Sequence, residues 1–226
     1  MEEKVKIIFE DKYLIVVEKP SGLVTTREGR VGKEDTLEDW LKNEKKIKLK
    51  RSGIVHRLDK DTSGLLVVAK TQEVLNGLSG EFKKREVEKR YLAMAGGDLP
   101  NRGEIRVPIG RLRYGFGKFG ASVEGKKAVS IFEVKAKYKI NGKMFSLVEV
   151  NLKTGRTHQI RVHMAYMGWP LLGDKLYGGL ELSGFGRHFL HACKIKFTHP
   201  VGKRLLEFDS PLAPELEEVI SRSEKI

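Results

Sequence analysis

Asn141 and Gly142 stand between two runs, 129–140 and 143–152, in which apolar and polar residues alternate. Alternation with a period of two marks strands that bury one face, and an Asn-Gly pair between them closes a hairpin. So long an antiparallel pair limits what the rest of the chain can build. Three further segments read as strands: KYLIVVEKP (12–20), ended by Pro20 and a turn at Ser21-Gly22; GLLVVAK (64–70); and KRYLAMAGG (89–97). Helical signals fall between them irregularly. Thr36 is a candidate cap for TLEDWLKNEKK, with Asp39 three residues on and Leu37, Trp40 and Leu41 on one face. Val74, Leu78 and Phe82 give residues 72–88 a helical period, Thr157 is placed to cap HQIRVHMAYM before Gly168 and Pro170, and PELEEVISRSEKI closes the chain as an amphipathic helix. Strands joined by hairpins, with helices interspersed, predict an α+β fold with a mostly antiparallel sheet rather than a doubly wound parallel one.

The sequence holds no repeat and no linker rich in Pro, Gly or Ser, so residues 1–226 are expected to form a single domain. No apolar run is long enough for a membrane span, and the acidic start, MEEKVKIIFEDKY, does not resemble a secretory signal. Cys193 is the single cysteine, which excludes an internal disulfide and fits a reducing cytoplasm. A formal net charge of +13 points to a polyanionic partner, with nucleic acid ahead of a membrane surface.

The densest chemistry lies in IVHRLDKDTSGLLVVAK (54–70), where His56, Arg57 and Asp59 precede a glycine and an apolar strand. Alone, such a cluster reads more readily as a salt-bridged turn than as a catalytic group. The whole segment, however, resembles the signature of the RluA-type RNA pseudouridine synthases. The resemblance continues in order: VVEKPSGL (16–23), KRYLAMAGG (89–97), VPIGR followed by GKKAVSIFEV, LKTGRTHQIRVHMAYMGWPLLGDKLYG (152–178) and LHACKIKFTHP (190–200).

That resemblance implies a mixed, mostly antiparallel pseudouridine-synthase sheet, flanked by helices and loops around a central catalytic cleft. It makes Asp59 the catalytic carboxylate, Tyr91 the aromatic that stacks on the uracil, and Arg161 the guanidinium partner of Asp59. The implied reaction breaks the N1–C1′ bond of a uridine, turns the base and joins C5 to C1′. Nothing is oxidised or added, so neither cofactor nor metal is expected. Asp59 would either attack C1′ or remove a proton from C2′. The target base must first leave its stack, and the resemblance makes Arg57 the side chain that fills the gap. His56 is an RNA contact or a structural residue, and Leu190 a lining of the uracil pocket. Relatives commonly carry an S4-like RNA-binding domain ahead of the catalytic one, whereas this chain starts with the catalytic motifs; a monomer acting on a short stem-loop of ribosomal or transfer RNA is the resulting expectation.

RLRYGFGKFGASVEG (111–125) departs from the family pattern. Arg111, Arg113, Tyr114, Phe116 and Phe119 interleave charge with stacking surface, which suits a grip on RNA; KNEKKIKLKR (42–51) and KKREVEKR (83–90) are equally well solvated faces. GWPLLGDK (168–175) resembles a phosphate-binding loop, but Asp174 occupies the lysine position and would repel phosphate. His158 and His163 are badly spaced for zinc on a helix. Two rivals remain: a magnesium-dependent phosphohydrolase acting through Asp59, which EDTA would silence, and an RNA chaperone without catalysis, in which Asp59→Asn would change nothing.

Overall fold

The computed structural model describes residues 5–27, 35–112 and 118–226. The chain divides into two compact units, Met1–Lys89 with Ala192–Pro211, and Arg90–His191 with Leu212–Ile226.

The first unit opens with the antiparallel strands β1 (Lys6–Glu10) and β2 (Leu14–Lys19), then α1 (Leu37–Asn43), β3 (Ser63–Ala69) and α2 (Gln72–Lys84). The cap read at Thr36 is present in full: its side chain accepts from the Asp39 N–H while Asp39 reaches back to the Thr36 N–H. Thr71 caps α2 in the same way, through the N–H of Val74. α2 stops at Lys84, short of the expected 88. Arg85 turns left-handed at φ 65° and sends its N–H back to the carbonyls of Glu81 and Phe82.

β4 (Glu88–Gly96) starts at the end of the first unit and runs on as the opening strand of the second, which continues with β5 (Arg102–Ile105), β6 (Ile109–Arg111) and β7 (Phe119–Ala121). The expected hairpin follows as β8 (Ser130–Ile140) and β9 (Lys143–Leu152). Asn141 (φ 50°) and Gly142 (φ 73°) both sit at positive φ, the geometry that matches strand twist. β9 pairs with β4, and β8 pairs with β5 and β9, all antiparallel. α3 (Gln159–Tyr166) starts one residue later than a Thr157 cap allows: His158 takes the cap position with left-handed backbone and no side-chain bond. The cause is Gln159, whose buried amide bonds to Thr154, Arg156, Val129 and Ser130 and draws the first turn inward.

β10 (Leu190–Thr198) then leads from the second unit into the first, where β11 (Leu205–Asp209) pairs with it. The closing helix α4 (Pro214–Ser221) is shorter than expected, because Glu224–Lys225 pair with β8 as β12.

Each unit has its own core. Leu14, Val16, Leu65, Val67, Val74, Leu78, Ile195 and Phe197 fill the first. Met94, Phe145, Leu147, Leu172, Phe189 and Leu216 fill the second. At about 1.5–3 kcal/mol for each large apolar side chain buried, these clusters carry most of the fold's stability.

Candidate active site

In the first unit, Asp59 lies half-buried in the loop that feeds β3. That loop is pinned from beneath. Lys19, wholly buried at the end of β2, directs its ammonium to the carbonyls of Pro20 (2.7 Å), Leu23 (2.7 Å) and Lys60 (2.9 Å). The Thr25 hydroxyl donates to the Leu58 carbonyl at 2.7 Å and accepts from the Leu58 N–H at 3.3 Å. The Thr62 N–H closes a turn on the Asp59 carbonyl. The backbone around the carboxylate is therefore held by one cation and one hydroxyl, the cation from the VVEKPSGL segment and the hydroxyl two residues beyond it.

His56 and Arg57 precede Asp59 on the same loop, and Arg57 is exposed. The His56 Nε2 accepts the Val67 N–H at 3.1 Å, and its ring stacks on Phe82 with centroids 4.6 Å apart. Burial, with the Lys89 ammonium adding to it, pushes the His56 pKa down to about 3. Lys89, placed 5.3 Å from the Phe82 ring centre, is pushed down to about 8 by burial. His56 is thus a neutral ring carrying a proton on Nδ1.

In the second unit, Tyr91 is nearly enclosed on β4, opposite Val150 of β9. Leu190 is buried at the start of β10; its carbonyl accepts from Nη2 of the buried Arg187 at 2.6 Å. Arg161 sits in the first turn of α3. Its Nε and Nη2 donate to Oδ2 and Oδ1 of Asp174, each at 2.8 Å, and its Cζ lies 5.1 Å from the ring centre of Tyr177.

Tyr177 gathers more than the arginine. Its hydroxyl donates to the Phe119 carbonyl at 2.9 Å and accepts from His158 Nδ1 at 2.9 Å, while Lys118 lies 4.8 Å from the ring centre. Arg111, exposed at the end of β6, covers Phe119 at 5.7 Å. Arg113, Tyr114 and Phe116 lie outside the described residues. His163 is buried, with Nε2 donating to the Val107 carbonyl and Nδ1 bonded to Ser130 Oγ, and burial lowers its pKa. Among the described residues no group of His, Cys, Asp or Glu is arranged to hold a metal ion.

Lys19, Asp174, Tyr177 and Arg187 were not singled out as site residues by sequence reasoning. Each lies inside or beside a segment of the family resemblance, which was the signal available.

Residues 13–166 match the family model described as RNA pseudouridylate synthase. The chain belongs to that family. It is 35% identical to the ribosomal large subunit pseudouridine synthase D of Xanthomonas campestris, over 95% of this chain and 68% of the relative. It is 38% identical to the corresponding protein of Nitrosomonas europaea, over 93% of this chain and 63% of the relative. The chain therefore spans about two thirds of the length of these bacterial relatives. Among solved structures, human RNA pseudouridylate synthase domain containing 1 superposes with a TM-score of 0.78 at 27% identity, over all of this chain and 90% of the human one. The α+β architecture is thus the family's own, and the enzyme class is that of an isomerase acting on RNA.

Proposed function

We propose that this protein converts specific uridines of ribosomal or transfer RNA to pseudouridine, with Asp59 as the carboxylate that acts on the ribose of a flipped nucleoside. The observation that carries the reading is the placement of Asp59 on a loop whose backbone is fixed by Lys19 and Thr25, inside the segment the family model matches. A carboxylate that must meet one sugar carbon gains rate from such fixing, because orientation is settled before the substrate arrives. The names of the bacterial relatives favour large-subunit ribosomal RNA.

The remaining roles follow the same reading. Arg161 steadies the ionised Asp59, Tyr91 stacks on the uracil while it turns, and Arg57 enters the space the base vacates. Leu190 lines the base, and Arg111 with its neighbours on the 111–125 segment holds phosphate. Residues 1–226 form a catalytic domain that works as a monomer in the cytoplasm without metal or cofactor. The isomerisation balances without them: one C–N bond breaks, one C–C bond forms, the C5 proton passes to solvent, and N1 takes up a proton in its place.

The test uses RNA from cells that lack the protein, labelled with C5-tritiated uridine. Wild-type protein releases tritium, and Asp59→Asn releases none while binding the RNA as before. Equal release by the two proteins refutes the role of Asp59.

A further inference from the structure

Asp174 belongs to the segment that resembles a phosphate loop without being one, and its position has another purpose. Its carboxylate is completely enclosed, and it holds Arg161 edge-on through two bonds of 2.8 Å. The fork takes the Nε–Nη2 edge, so the Nη1 end of the plane is aimed away from Asp174. Tyr177 covers the plane 5.1 Å from Cζ. In-plane bonds and a facing ring together fix both the tilt and the rotation of the guanidinium.

The turn that delivers this carboxylate is tightly specified. Gly173 has φ +75°, and a Cβ there would fall 2.0 Å from the Arg187 carbonyl oxygen. A Cβ on Gly179 would fall 1.9 Å from the Leu171 carbonyl oxygen and 2.8 Å from the Asp174 nitrogen. The Asp174 carbonyl accepts the N–H groups of both Tyr177 and Gly179. A buried ion pair is a poor way to gain stability, since apolar residues of like volume do as well or better. Orientation is what the pair gives that an apolar contact would not.

We infer that Asp174 is a positioning residue of the isomerisation, acting through Arg161 by fixing which edge of the guanidinium faces the reacting sugar. The inference rests on the proposed role of Arg161, and the experiment separates the two. Asp174→Asn, Arg161→Ala and the double variant are assayed for tritium release from the same C5-labelled RNA. Asp174→Asn lowers kcat by roughly 10–100-fold and leaves KM within about threefold. The double variant is no slower than Arg161→Ala alone, because a residue that acts through an arginine has nothing to act on once it is gone.

Wild-type kcat in Asp174→Asn beside an inactive Arg161→Ala overturns the inference and leaves the role of Arg161 standing. Wild-type kcat in Arg161→Ala removes that role, and the inference with it. If Asp174→Asn does not fold, the wild-type protein decides by NMR relaxation of the Arg161 Nε–H, identified by its loss in Arg161→Lys. An order parameter near that of rigid backbone, about 0.85, is expected, and one below about 0.6 overturns the inference.

Discussion

The ammonium of Lys19 lies 2.9 Å from the carbonyl oxygen of Lys60, the residue that follows Asp59. With the carbonyls of Pro20 and Leu23 it forms a cage in which a buried cation is neutralised by dipoles.

Replacing Lys19 by Met keeps most of the volume and removes the charge, leaving the carbonyls of Pro20 and Leu23 without this donor, while that of Lys60 keeps the Gly22 N–H. The expected cost is on the order of 3 kcal/mol, from unsatisfied acceptors that had been bonded to a charged group. Urea denaturation measures it. The folded fraction is also expected to lose turnover more than RNA affinity, because the loop that loosens carries Asp59; unchanged stability and turnover would show that the cage is dispensable.

Gly64 is a second point where the motif answers to geometry. It sits at φ +114°, and a Cβ there would lie 2.3 Å from the Ala192 carbonyl oxygen and 2.6 Å from its nitrogen. Both obstacles are backbone, so neither can rotate away. Gly64→Ala is expected to destabilise by about 3 kcal/mol or more, or to prevent folding, whereas Gly142→Ala, with nothing within 4 Å, suffers only the strain of its positive φ. Thermal denaturation of the two variants orders them.

His56 makes stability fall with acid. Its pKa is about 3 in the fold against an ordinary 6.5, so between those values the unfolded chain binds a proton that the folded chain refuses. Above 6.5 both states are neutral and the effect vanishes; below it, unfolding is favoured by at most about 1.4 kcal/mol per pH unit, and by less because the ring keeps some contact with solvent. His56→Gln offers an acceptor to Val67 without the titration. Its unfolding free energy is expected to decline less steeply from pH 6.5 downwards than that of the wild type, measured in urea across that range. Parallel declines would mean that the ring protonates in place.

The parts of the fold that were legible in the sequence are those that local chemistry decides. Asn141-Gly142 fixes its own turn, Thr36 and Asp39 satisfy each other within one turn of helix, and period-two alternation declares β8 and β9. The misplaced boundaries are those set from a distance. Arg85 ends α2 in a left-handed conformation that no glycine announces, and Gln159 overrules Thr157 through bonds to Val129 and Ser130, about thirty residues earlier. The site divides in the same manner. Asp59, Tyr91 and Arg161 stand out through the family motifs, whereas Asp174, thirteen residues on and bonded to Arg161, lies in a turn that resembles a phosphate loop only until its own charge is counted. Lys19 has no signal of its own within the strand read over 12–20, because no periodicity distinguishes a lysine that caps backbone carbonyls in the interior from one that faces water.

The path of the chain sets an order of events during synthesis. The first unit takes its opening segment from Met1–Lys89 and its last strands from Ala192–Pro211, with Arg90–His191 made in between. Leu14, Val16, Leu65 and Val67 therefore leave the ribosome well before Ile195 and Phe197, their partners in the core, have been translated. While the intervening hundred or so residues are added, that apolar face has no finished neighbour and is a surface for a chaperone to shield. Truncation anywhere before β10 would leave the segment bearing Asp59 permanently in that condition.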